Sequence, residues 1–267
     1  MIINSASPDA EKNRALKRVQ AKPNETNSSW LDRISKSNKF EGGGLLLLGG
    51  NSVADFRIRY AQAHLRHDLT PSYWSMVAIT LDQRSLYTVP LHWKAELSEM
   101  PHTNGIRKSS FSEYDDPVHF PNIAFIRFSS TTKEMIRFAE RLKLQRSVVD
   151  LPSLVLSWLG YVWAVGDSIN PLTTGRGLPS AVFAETVFGI AGIELTPGLA
   201  TQSSCPEAIW QAAKWWSAFY KEVTKVESTV VTSGQVPEGC FALRQPAAAV
   251  YEKPFVARRK TSSSKRS

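Results

Sequence analysis

Two residues of this chain stand where a hydrolase would keep its nucleophile. Ser180 opens "SAVFAETVFGI", a stretch in which Val182, Phe183, Val187 and Ile190 recur at helical spacing and point toward a core. Cys205 lies in "SCPEAIW", where Pro206 and Glu207 suit a first helical turn and the positive end of the helix dipole favours a thiolate. Either side chain needs a base. A serine hydroxyl attacks only beside a group that takes its proton, and a thiol is activated by an adjacent imidazole. His92, in "HWKAEL", is the fallback base that Cys205 would have to meet in space. Both positions also have an explanation without chemistry: Ser180 reads as a helix cap, and Ser204-Cys205-Pro206-Glu207 spells the Ser-x-x-Glu capping box, with Glu207 opposing ionisation of the thiol.

No other cluster competes strongly. The five histidines, His64, His67, His92, His102 and His119, form no metal-binding motif, and His64 with His67, three apart on a helical stretch, reads as a solvated pair. The two cysteines, Cys205 and Cys240, have no paired spacing for zinc and read as reduced thiols. Asp115 and Asp116 sit in a Pro-flanked loop and read as a turn rather than an acid/base couple. No cofactor or metal is therefore expected.

Composition sets the frame for these residues. With 42% hydrophobic and 21% charged residues among 267, the chain has the balance of a folded protein. Apolar runs such as "GGGLLLLGG" fall far short of a membrane span, and "MIINSASPDAEKNRALKRVQ" lacks the apolar core and small-residue site of a secretory signal. The expectation is a cytoplasmic protein. The net charge of +8 would suit nucleic acid, but its excess gathers in "EKNRALKRVQAK" and "ARRKTSSSKRS" at the ends, which read as solvated tails.

The elements that must position the candidates follow from texture. Residues 1–29 read as a flexible polar extension, 30–226 as the folded domain, and 227–267 as a Pro/Ala-rich segment with a basic tail. Leu45 to Leu48, bracketed by glycines, predict a strand buried on both faces; no Gly-Lys-Ser/Thr follows, so this is no phosphate-binding loop. Phe56, Tyr60, Ala63 and Leu65 then recur at near-helical intervals. Strands are expected at Trp74 to Leu81, in "SLYTVPLHW" and in "NIAFIRF". A helix follows with Met135, Ile136, Ala139 and Leu142 on one face. "LPSLVLSWLGYVWAVG" is apolar on nearly every side and predicts a buried helix, or a helix and then a strand. A late helix carries Trp210, Trp215, Trp216, Phe219 and Tyr220 in two neighbouring rows, one to fill the core and the other to be covered within the chain or to dock a partner. Strands first and helices afterwards argue for an α+β domain with a mainly antiparallel sheet packed against helices.

Taken together, the Gly-bracketed strand, "PSYWSMVAITLD" and "LPSAVFAETVFGIAGIELTPG" resemble the permuted papain-like cysteine amidases, a superfamily that includes NlpC-like hydrolases and lipid-acting relatives. In those families a strand begins Ser-His-Val-Ala/Gly-Ile, and a later helix begins Cys-Ser-Glu-Leu-Val and ends in a Gly-Ile-x-Leu-x-Pro-like turn. The resemblance spans roughly Gly42 to Gly198. It implies a papain-like (NlpC-like, permuted) fold in which Met76 stands at the histidine position and Ser180 at the cysteine position. A third polar residue would come from the stretch Tyr87 to His92.

A thioether cannot take a proton near neutral pH, so the resemblance implies a degenerate, inactive catalytic pair. The expected function is that of a pseudoenzyme: a binding or scaffold protein, with a protein or an acyl or peptide ligand in the degenerate cleft. Two alternatives stand beside it, an active thiol hydrolase or amidase using Cys205 and a basic nucleic-acid-binding protein.

Overall fold

The computed structural model describes residues 16–38, 43–80, 85–91, 104–128, 133–144, 150–226 and 237–250. Its centre is the stretch that the glycines bracket. Strand β2, Gly44–Gly49, is buried throughout and lies between β3, Met76–Thr80, and β6, Asn122–Arg127. Burial on both faces is what four successive leucines require: Leu45 and Leu47 join one apolar layer, and Leu46 and Leu48 the other. Gly49 admits no side chain, because a Cβ there would meet the Tyr73 carbonyl oxygen.

Around this centre the sheet runs β1-β7-β6-β2-β3-β4-β5, with β1 at Leu16–Arg18, β4 at Ser85–Thr88, β5 at Arg107–Ser110 and β7 at Glu238–Leu243. Every pairing is antiparallel except β1 with β7. The chain is thus an α+β protein with a seven-stranded mixed sheet and, among the described residues, six α-helices.

The helices cover the two faces unequally. Helix α1, Asn27–Asn38, and the short 3-10 turn Phe111–Tyr114 lie on one face, which receives Trp30, Leu31, Ile34, Met76 and Ala78. The other face carries α2, Val53–Ala61; α3, Lys133–Leu144; α4, Leu151–Val162; α5, Pro179–Ile190; and α6, Pro206–Val226. Helix α5 packs directly on β3 and supplies Ala181, Val182, Phe183, Val187 and Phe188 to that layer.

Both ends of the folded region lie outside the expected boundaries. Leu16 to Arg18 pair with Gly239 to Phe241, and Trp30 Nε1 donates to the Val19 carbonyl at 3.0 Å, so residues 16–29 belong to the sheet and its α1 layer. Strand β7 is an inner strand, between β1 and β6, although it follows the expected end at Val226. Its short alternation in "EGCFAL" is legible only once its two neighbours are known. The basic tail from 251 onward lies outside the described residues.

Helix α2 reverses the expectation drawn from its apolar spacing. Its buried residues are Asp55, Ile58, Arg59 and Ala61, followed by Gln62 at the C-cap, whereas Tyr60 and Leu65 are exposed. Ser52 and Asp55 close a capping box at its start. Helix α4 also departs from expectation. It buries Leu151, Val155, Trp158, Leu159 and Val162 but leaves Leu156 open, and the residues after it form a turn. Ile190, expected in the core, is exposed at the end of α5, where Gly192, at φ +76°, stops the helix.

Candidate functional site

Helix α5 begins at a tight crossing. Gly177 N–H donates to the Gln202 carbonyl at 2.6 Å, Leu178 N–H donates to the Ser204 carbonyl at 2.8 Å, and Trp158 Nε1 donates to the Gly177 carbonyl at 2.7 Å. A Cβ at Gly177 would lie 2.4 Å from the Ser204 carbonyl oxygen, so the backbone can pass there only as glycine. Leu178 is the N-cap and Pro179 takes the first turn, where its missing N–H costs nothing. Ser180 therefore lies inside the helix, and the expected capping role falls away.

Its hydroxyl has another partner. Val77 N–H donates to Ser180 Oγ at 3.2 Å, and both residues are buried. The reason lies in the sheet. The ladder between β3 and β4 ends at Ile79 and Tyr87, two residues short of Val77. Beyond that point the Val77 carbonyl accepts from Thr88 Oγ1 at 2.6 Å, while its N–H turns to Ser180. A buried backbone pair must find partners. Ser180 and Thr88 supply them where a strand would otherwise have done so.

Met76, expected to face Ser180, belongs to the opposite layer. It packs with Trp30, Leu31 and Ile34, whereas Val77 and Ile79 pack on the α5 side. Successive side chains of a strand alternate between faces, so the neighbour of a residue that meets α5 points away from it. His92 lies outside the described residues. Of the described imidazoles, His64 Nδ1 pairs with the Ala61 carbonyl, His119 Nδ1 with Asp116 Oδ2 at 2.5 Å, and His67 is exposed. None of these contacts involves Ser180 or Cys205. From the stretch Tyr87 to His92, Tyr87 donates its hydroxyl to Glu140 at 2.7 Å, and Thr88 is the polar side chain that meets β3 beside Ser180.

Cys205 is fully buried immediately before Pro206. Burial pushes the thiol up to about 12 against the nearby backbone dipoles of the first turn of α6, with the Glu207 charge acting in the same sense as burial. The expected capping box does not form. Ser204 Oγ instead donates to Glu185 Oε1 at 3.1 Å, where the Thr196 hydroxyl also donates. Burial holds the Glu185 carboxyl above its ordinary range against those donors. Ser204 is drawn to Glu185, the Glu207 carboxylate to Ser72 and Gln211, and the Glu207 N–H to Gln62, so neither residue is left to close the box.

Glu207 centres a network that sequence reasoning missed. Its Oε2 accepts from Ser72 Oγ at 2.6 Å and its Oε1 from Gln211 Nε2 at 2.6 Å, with Arg66 Nη1 at 3.5 Å. Its backbone N–H donates to Gln62 Oε1 at 2.8 Å, and Gln62 Nε2 donates to the Trp74 carbonyl at 2.9 Å. The network ties the segment between α2 and β3 to the start of α6. Arg59, equally buried, donates to the Ala247 and Ala249 carbonyls and secures the chain beyond β7. Apart from Gln211, one turn along the same helix, and the Trp74 carbonyl, twelve residues from Gln62, these partners lie more than a hundred residues apart in sequence, and no local spacing signals them.

Open space lies at the far end of α5. A cavity of about 340 Å3 is lined by Phe128, Ile193, Leu195, Pro197, Ala213 and Trp216, among others. Ile193, Leu195 and Pro197 follow the C-terminus of α5, so this wall of the cavity is roughly 15 Å of helix from Ser180, at about 1.5 Å per residue. Of the α6 aromatics, Trp210 is buried against Trp74 and Phe241, each at 5.1 Å, while Trp215 and Phe219 stack at 5.1 Å and remain partly exposed.

Among the described residues no group of acidic, histidine or cysteine side chains is placed to hold a metal ion, and no helix is long and apolar enough to cross a membrane. No protein-family model, curated protein or solved structure matches the chain.

Proposed function

We propose that the chain is a non-catalytic binding or scaffold protein built on a degenerate papain-like (NlpC-like, permuted) α+β domain. The observation that carries this reading is the engagement of Ser180. Its buried hydroxyl receives a backbone N–H, so the position that the resemblance assigns to a nucleophile serves as a strut between α5 and β3. A hydroxyl held by a peptide donor, with no imidazole bonded to it among the described residues, is a poor nucleophile. The state of Cys205 supports the same reading over a thiol hydrolase, since a buried thiol pushed up to about 12 is protonated at neutral pH. The resemblance itself rests only on the order of the two motifs, the strand carrying Met76 before the helix carrying Ser180, since the two side chains lie on opposite sides of β3 and form no pair.

A binding role needs a concave surface, and the cavity at the end of α5 supplies one, with the apolar Phe128, Ile193, Leu195, Ala213 and Trp216 beside the carboxylate of Glu194. An acyl chain or an apolar peptide side chain fits it. Incubation with acyl esters, acyl amides and peptide amides should give no turnover above buffer. Turnover that Ser180→Ala or Cys205→Ala abolished, each assayed below its own melting temperature, would overturn the proposal.

A further inference from the structure

Helix α5 ends in a field of one sign. Its last turn carries no basic residue, so the negative end of its dipole meets no lysine or arginine from the helix itself. Gly192, at φ +76°, turns the chain, and Ile193, Glu194, Leu195 and Pro197 then form one wall of the cavity. Ile193 and Leu195 are buried and Glu194 between them is exposed, which places its carboxylate at the mouth. Among the described residues no hydrogen bond or ion pair engages that carboxylate. Behind the wall, Thr196 Oγ1 donates to Glu185 Oε1 at 2.5 Å, and burial, with the Glu194 charge in the same sense, holds the Glu185 carboxyl above its ordinary range. The two acids therefore share one region of negative potential.

The other walls are apolar and aromatic. Phe128, set edge-on to Phe188 at 5.4 Å, Ala213, Trp216 and Pro237 complete the lining, in which Glu194 is the one charged residue among those described. The basic residues next to lining positions in the chain are directed elsewhere. Lys214 Nζ lies 5.8 Å from the centre of the Trp210 ring, one turn back along α6. Arg127 alternates with Ile126 and Phe128, which join the α5 layer, so it leaves the sheet on the opposite face. An apolar cavity whose lining charge is negative opposes a free carboxylate and attracts a cation, and a tryptophan in its wall adds the attraction of an aromatic face.

We propose that this cavity binds an alkylammonium ligand, with its chain among Phe128, Ile193, Leu195 and Ala213 and its ammonium at the mouth between Glu194 and Trp216. The proposal rests on the reading of this cavity as the binding site of the chain, and it narrows the ligand from an apolar group to an amphiphilic cation. The volume of about 340 Å3 lies in the range of small-molecule sites. A cation held there also meets the C-terminal dipole of α5, which an uncharged head would not exploit and a carboxylate head would oppose.

The test is calorimetric titration of the full chain with hexyltrimethylammonium, hexanol and hexanoate, which share one chain length and differ in head charge. The expected order of affinity is cation, alcohol, carboxylate, with the cation at least about fivefold tighter than the alcohol and that advantage shrinking as salt rises. Glu194→Gln, at an exposed position, should remove most of the advantage while leaving the affinity for hexanol and the melting temperature unchanged. Trp216→Leu should weaken the cation more than the alcohol. Equal binding of cation and alcohol, or an advantage undiminished in Glu194→Gln, overturns the proposal and leaves the cavity a general apolar site. Binding of none of the three overturns both the proposal and the cavity as a binding site. Hydrolysis of an acyl ester by a protein that prefers the cation as expected would support this proposal while overturning the non-catalytic reading.

Discussion

Ser180 Oγ accepts the Val77 N–H at 3.2 Å, and Val77 returns its carbonyl to Thr88 at 2.6 Å. One residue of β3 thus has its outward peptide groups satisfied by two hydroxyls, one from a helix and one from the next strand. The arrangement explains a serine at this position without reference to catalysis, and it gives that serine a measurable task.

Ser180→Ala should destabilise the fold by about 1–3 kcal/mol, because it leaves a buried N–H without a partner. For a chain of this size that corresponds to a loss of roughly 2–4 °C in melting temperature for each kcal/mol. Thr88→Val should act in the same direction through the Val77 carbonyl. Thermal melts of the two single variants and the double variant would measure both losses. A Ser180→Ala melt superimposable on the wild type would remove the strut from the account.

Cys205 should resist alkylation in the native protein at neutral pH and react once denaturant opens the core, with mass spectrometry locating the adduct. Its raised pKa also carries a sign. The folded protein holds the thiol protonated beyond the point where the unfolded chain ionises, so its contribution is complete below about pH 9 and is lost progressively as pH rises toward about 12. Cys240, pushed up to about 11 by burial, adds to the same loss. Cys205→Ala should therefore flatten the alkaline decline in melting temperature.

Glu207→Ala should be more damaging than either hydroxyl change. It leaves the Ser72 hydroxyl and the Gln211 amide without their acceptor and removes a buried partner of Arg66. Breaking a buried charge network of this kind costs about 3–5 kcal/mol. Chemical denaturation should show a lower midpoint with the slope preserved, and Glu207→Gln should recover part of the loss by keeping an acceptor for Ser72.

Gly177→Ala tests the crossing that delivers Ser180 to β3. The new methyl would strike the Ser204 backbone and Val182, and neither contact ends in a flexible tip. A cost of about 1–3 kcal/mol follows from overpacking. Gly160→Ala, inside α4 where the added Cβ meets nothing, should instead raise the melting temperature, since alanine is the better helix former by about 0.5–1 kcal/mol, and the opposite sign makes it the internal comparison.

Several elements were legible residue by residue. The leucines between glycines announced β2, and Met135 and Ala139 marked the inner face of α3. Each signal is local: a run or a period. Local signals also misled. Ser204 and Glu207 have the spacing of a capping box, yet Ser204 is taken by Glu185 of α5 and Glu207 by Ser72, before β3, and by Gln211 one turn along α6. The apolar spacing in α2 pointed at Tyr60, whereas the helix buries Arg59, which secures the Ala247 and Ala249 carbonyls of the chain beyond β7.

The amino-acid sequence by itself determined the strands β2, β3, β4 and β6 and the helices α2, α3, α5 and α6, because hydrophobic period and turn chemistry are properties of neighbouring residues, whereas the short β1, β5 and β7 and the polar α1 take their state from the elements they pack on. It also determined that Met76 and Val77 must point to opposite faces, since a strand alternates. Only the tertiary structure decided which face α5 covers and, with that, that Ser180 meets the backbone of Val77 rather than the side chain of Met76. The physical reason is that burial leaves its mark on each residue singly, while the identity of the group that buries it comes from a segment a hundred residues away.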